Sequence, residues 1–140
     1  MNHEEAIGVL NSVLNHNPAS YQDGDEPSVI IDANEEYAVS ITAGIHPYSE
    51  AHRAVVLELI LSQMFFRLTL KTKLAIRKIN KNVAQPRGFV VRVMENHSQH
   101  LRCVISRNYY SVVTADQIEL DHAAMSALSL VVFQAIKSSQ

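Results

Sequence analysis

Between Ala54 and Leu70 the chain reads AVVLELILSQMFFRLTL, and any fold it adopts must bury most of that run. Ser49 is a suitable N-cap, so the run is read as a long helix beginning at Glu50. On that helix Val55, Val56, Leu57, Leu59, Ile60, Leu61, Met64, Phe65 and Phe66 cover nearly the whole circumference, leaving only a Glu58–Ser62 seam. A helix apolar all round must be covered on several sides. A domain of 140 residues has little material for that. The second face is therefore expected to meet a second copy, with Val56, Leu59, Ile60, Gln63 and Met64 forming a homodimer interface. The competing reading is a central helix wrapped by a sheet and two other helices. A membrane span is excluded, because Glu58, Ser62, Gln63, Arg67 and Thr69 interrupt a stretch that would need about 20 apolar residues.

Around this run the rest falls into short elements. Ile7, Leu10 and Leu14 recur at helical spacing from His3 to Leu14, and Asn17-Pro18 closes that helix. Ser28–Asp32 and Tyr37–Ala43 read as two strands about the turn 33–36, the second alternating Tyr37, Val39, Ile41, Ala43 with Ala38, Ser40, Thr42. Leu68–Ile79 is ambiguous. Its alternation suits a strand, but no Gly or Pro falls between Ser49 and Gln85, which favours a continued helix. Gly88–Met94 and Leu101–Ser106 make a hairpin. Thr114-Ala115-Asp116-Gln117 has the form of a capping box, with Gln117 expected to reach back to Thr114. It opens a last helix striped by Ile118, Met125, Leu128, Val132 and Ile136 and widened by Leu120, Ala124, Val131 and Ala135. The expected fold is a single α+β domain over residues 1–140. Its order is helix, two strands, long helix, two strands, helix, with an antiparallel sheet and a homodimer through the central helix.

Charge is unevenly laid out. Residues 1–52 hold nine acids and no base, residues 53–107 eleven bases and two acids, and residues 108–140 three acids and one base. The acidic and basic parts are expected to lie near each other in the fold or across a dimer; the alternative is a basic face for nucleic acid or an acidic partner. Arg67, Lys71, Lys73, Arg77, Lys78, Lys81 and Arg87 supply that face. The first 20 residues show no signal-peptide pattern, and the single Cys103 allows no intrachain disulfide. Both point to the cytoplasm and to no membrane partner.

Residues with chemical potential do not assemble into a catalytic pattern. His46 and His52 lack the i, i+4 spacing of a helical zinc site, and His97 and His100 have only Glu95 nearby. Cys103 alternates with Leu101 and Ile105 on the apolar side of its strand, where a thiol is inert. No phosphate-binding glycine loop or nucleophile elbow is present. No enzyme, metal or cofactor is expected.

The element order, the mild acidity and the apolar run resemble the class I chaperones of bacterial type III secretion. The resemblance rests on the helix His3–Leu14, the strands Val29-Ile30-Ile31 and Tyr37-Ala38-Val39-Ser40-Ile41, the apolar helix from Glu50, and the final helix Thr114–Ile136. That family carries a third strand before its central helix, which this pattern lacks unless the Leu68–Ile76 alternation serves out of order. The resemblance implies a homodimer that holds the N-terminal segment of a secreted effector extended and ready for export. It also implies possible docking on the secretion ATPase. Val29, Ile31, Tyr37, Val39 and Ile41 are the candidate client surface, by strand pairing and apolar pockets. The alternatives are another protein-binding adaptor or inhibitor of phage, plasmid or regulatory kind, and nucleic-acid binding through residues 67–87.

Overall fold

A computed structural model describes residues 1–16, 20–46, 48–64, 66–95 and 100–140, without the side chains of 16, 20–22, 50 and 62–64. In chain order the elements are α1 (His3–His16), β1 (Ser20–Gln22), β2 (Ser28–Ala33), β3 (Tyr37–His46) and β4 (Ser49–Met64). Then come α2 (Leu70–Ile79), β5 (Val90–Glu95), β6 (Leu101–Tyr109) and α3 (Ala115–Ser138). A π-helical turn at Asn80–Ala84 and a 3₁₀ turn at Gln85–Arg87 extend α2. All strand pairs are antiparallel, and the sheet order is β1-β2-β3-β4-β6-β5.

The apolar run is the central strand of the sheet, not a helix. β4 pairs with β3 from Ser49 to Leu61 and with β6 from Val55 to Met64. Its alternate residues Val55, Leu57, Leu59 and Leu61 are buried beneath the helices. Val56, Glu58 and Ile60 are half-buried on the other side. What resembles a helix apolar all round is a strand with both faces partly covered, and a continuous apolar run cannot separate the two by periodicity. The expected order of two strands before a long helix from Glu50 is therefore corrected: β2, β3 and β4 precede α2, with short β1 ahead of them.

Helix resumes only at Leu70. Thr69 stands extended and its Oγ1 accepts from the Thr72 N–H at 3.1 Å, an N-cap that opens the helix without any Gly or Pro. The end of this helical stretch does need glycine. Gly88 has φ of 83°, and a Cβ there would meet the Arg107 guanidinium at 3.3 Å.

α1, α2 and α3 lie on one face of the sheet, α1 against β2, β3 and β4, α2 against β5, and α3 against β4 and both other helices. The core between the layers is built from Val9, Leu10, Val39, Ile41, Leu57, Leu59, Ile105, Phe89, Met125, Val132 and Ile136. The expected α3 stripe of Ile118, Met125, Leu128, Val132 and Ile136 is buried there, whereas Leu120 and Val131 face outward. At the start of α3, Thr114 Oγ1 accepts from the Gln117 N–H at 3.2 Å. Gln117 Nε2, however, donates to Asp121 at 3.0 Å rather than reaching back.

Two buried groups make this core sensitive to alkali. Burial pushes the Cys103 thiol up to about 12, and burial followed by the Asp121 carboxylate raises the Tyr109 phenol. Both groups hold their protons more tightly folded than unfolded, so their contribution is complete below the unfolded value and lost as pH climbs. Stability measured by urea unfolding should fall from about pH 9, by roughly 1.4 kcal/mol per unit for the thiol alone. Cys103→Ala should flatten the part of that slope between pH 9 and pH 10; an unchanged slope would count against the buried thiol.

Candidate functional site

The five expected client residues all lie on the helix-covered side. Val29, Val39 and Ile41 are completely buried, so on the folded chain they cannot meet an extended segment. Ile31 falls at the irregularity in the β2–β3 register and is half-buried. Tyr37 packs against the core and donates its hydroxyl to Asp32 at 2.9 Å, which raises its phenol pKa. Period-two alternation gives either face of a strand equally; the helices decided which one closed.

The expected dimer residues divide in the same way. Leu59 belongs to the core, while Val56 and Ile60 sit on the uncovered face. Gln63 and Met64 close β4, and their side chains lie outside the described residues.

The uncovered face carries an apolar band from strand to strand. Ala38 stands opposite Ile60 and Ile60 opposite Val104, which in turn faces Arg92 on β5. Ile30 on β2 flanks the band at one end, and Val90 and Met94, both exposed, continue it at the other. Ser40, Glu58 and Ser106 form the adjoining polar row. The surface is thus mixed: apolar enough to bind, polar enough to stay in water unoccupied.

At the β5 end this face meets a strand edge. Asn80 lies alongside the edge and copies a peptide: its Nδ2 donates to the Val91 carbonyl and its Oδ1 accepts from the Val91 N–H, both at 2.8 Å. The Val91 peptide groups therefore point outward, and period-two geometry turns those of Val93 outward as well. Beside Val93 opens a groove of about 490 Å³ lined by Lys73, Ile76, Arg77, Asn80, Lys81 and Gln85. Three cations around an apolar floor and a strand edge favour an extended, acidic ligand. Sequence reasoning marked the basic run but missed this edge, because the Asn80–Val91 pairing joins residues 11 apart through tertiary packing.

Charge is segregated across the sheet. Asp32, Glu35 and Glu36 belong to the β2–β3 side, Asp23, Asp25 and Glu26 to the loop before β2, and the α2 cations to the opposite edge at β5. Of the expected proximity between the acidic and basic parts, the fold supplies the β3–β4 pairing, while the α2 cations stand at the far edge of the sheet from these acids. Arg53 joins the two parts as well, donating to the Asp25 carbonyl at 2.7 Å. The ion pairs Arg67–Glu95 and Arg107–Asp121 are local to the β5–β6 side.

Other polar clusters join elements of the fold. Asp121, buried in α3, accepts from the Tyr109 hydroxyl, from Arg107 at 3.2 Å and from Gln117 at 3.0 Å. The Arg107 guanidinium also lies over the Phe89 and Tyr109 rings. These bonds tie α3 to β6. The His46 ring lies tilted against Tyr48 and edge-on to Tyr110, and the His52 ring meets the Ser49 hydroxyl at 2.8 Å. His97 lies outside the described residues. Among the described residues no three His, Cys, Asp or Glu groups converge on one point, and no helix is long and apolar enough to cross a membrane. No family model, curated protein or solved structure matches the chain.

Proposed function

We propose that this chain is a protein-binding chaperone that holds an extended segment of a client against the uncovered face and β5 edge of its sheet. The one-sided arrangement carries the reading: three helices close one face, and the other keeps the Ile30–Ile60–Met94 band beside an edge with outward peptide groups. An extended segment gains main-chain hydrogen bonds at Val93 and sets alternate side chains on the band. Its acidic residues meet Lys73, Arg77 and Lys81. The strands β2, β3 and β4 ahead of α2, with short β1 before them, also support the secretion-chaperone form of this proposal, in which the client is the N-terminal segment of a secreted effector and the carrier is a cytoplasmic homodimer. In that form the complex then docks on the secretion ATPase.

A second reading draws on the same cations. Lys71, Lys73, Arg77, Lys78 and Lys81 are all exposed on one short helical stretch, a charge density suited to phosphates. The deciding experiment is capture from the native cytoplasm with the tagged chain, reading both absorbance ratio and bound proteins. One dominant protein partner, lost at least tenfold with Arg77→Glu/Lys81→Glu, is the expected result. Retained nucleic acid that salt releases steeply would establish the second reading instead.

A further inference from the structure

The last helix is apolar on two sides. Its inner stripe is core, but Leu120, Leu130 and Val131 on the outer side remain 66%, 73% and 49% exposed. Ala123 and Ala127 lie between them, also exposed. From Ala123 to Ile136 the helix carries no charged residue at all. An outer face in water normally carries charge, and here it is the middle helix of the layer that lacks it.

The order of side chains along this face says what covers it. We propose that a second copy of the chain does, two α3 helices crossing antiparallel about a two-fold axis at Ala127. Such an axis sets residues against each other whose numbers sum to about 254, and the pairs are complementary in size. Ala127 meets its own copy, Ala123 meets Leu130, Ala124 meets Val131, and Leu120 meets Gln134. Ala127 on its own copy lets the backbones approach at the crossing point, and the small-against-large pairs Ala123–Leu130 and Ala124–Val131 fill the space beside it. The charges that bound the stripe also match: Glu119 and Lys137 lie on the same flank and, in antiparallel order, face each other across the axis. An isologous contact needs this self-complementarity.

The contact is modest. From Glu119 to Lys137 the stripe runs about 27 Å at 1.5 Å per residue. At one helix width this is a few hundred Å² per protomer, below the roughly 800 Å² of a standard interface. The dimer should therefore exchange with monomer on dilution. It leaves the uncovered sheet face open in both copies, so it does not depend on what that face binds.

Ala127→Cys supplies the sharpest test, since the native Cys103 is fully buried. Under mild oxidation this variant should form a disulfide with itself, whereas Ser138→Cys, beyond the stripe, should not. By light scattering, the mass should double between about 1 μM and about 500 μM. Leu130→Glu should hold it at monomer with an unchanged circular dichroism spectrum. Lys137→Glu should weaken the dimer several-fold and Glu119→Lys in the same chain should restore it. A monomer at every concentration overturns the proposal, and so does a dimer indifferent to Leu130→Glu. Loss of client capture with the dimer intact would strike only the chaperone reading.

Discussion

Leu59→Asp should abolish folding, while Ile60→Asp, one residue along, should leave a cooperative and only weakened domain. Leu59 is 1% exposed at the centre of the core, opposite Ile105. A carboxylate there forfeits the transfer energy of the leucine, about 2–5 kcal/mol, and adds a desolvation cost of several more. Domains of this size have about 5–15 kcal/mol in all. Ile60 points to the uncovered face, where a carboxylate keeps access to water, and the expected cost is about 1–2 kcal/mol. The same contrast holds between Leu57 and Val56. Urea unfolding monitored by circular dichroism distinguishes the cases. Equal losses at 59 and 60 would sink the strand assignment, because a helix buried on all sides penalises both. Ile60→Asp should in addition lose the captured client, since it places a charge in the middle of the apolar band.

Asp121→Ala is expected to cost about 3–5 kcal/mol, the range for breaking one partner out of a buried ionic cluster. The loss is large because one carboxylate serves three donors: the Tyr109 hydroxyl, the Arg107 guanidinium and the Gln117 amide. Removing it leaves the phenol inside the core with no acceptor, and leaves the guanidinium with two aromatic rings and the Arg87 carbonyl. Asp121→Asn keeps an acceptor for Tyr109 and should lose about half as much. Tyr109→Phe/Asp121→Ala should cost less than the sum of its parts, as expected for residues that share one interaction. If Asp121→Ala unfolds within about 0.5 kcal/mol of the wild-type chain, the cluster is not what anchors α3 to β6.

Much of the fold is legible because it depends on neighbours in sequence. The α1 and α3 helices, the β2–β3 and β5–β6 hairpins and the Thr114 cap follow from spacing and local hydrogen bonding. So does the placement of Cys103 in the core. The apolar run is not legible in this way. Alternation of Val55, Leu57, Leu59 and Leu61 with Val56, Glu58 and Ile60 is visible, but so is a helix covered all round, and length favours the helix. A signal did exist: Thr69-Leu70-Lys71-Thr72 is a helix start, and a helix that starts at Thr69 does not continue from Glu50.

The candidate site was less legible than the fold. The basic residues could be counted, but not the edge strand that they flank, nor the fact that the acidic third lies across the sheet from them. Val29, Val39 and Ile41 illustrate the limit, since a strand's sequence shows that its faces differ and not which face a helix will close.

The sequence by itself determined an antiparallel α+β domain with little of the spacing that catalysis or metal binding needs, because those features depend on residue type and local period. Only the tertiary structure decided that β4 is a central strand, that Val29, Val39 and Ile41 are core, and that α3 keeps a second apolar face outward. Each of these turns on which side of an element its neighbours cover, and burial of that kind is a property of contacts between segments far apart in the chain.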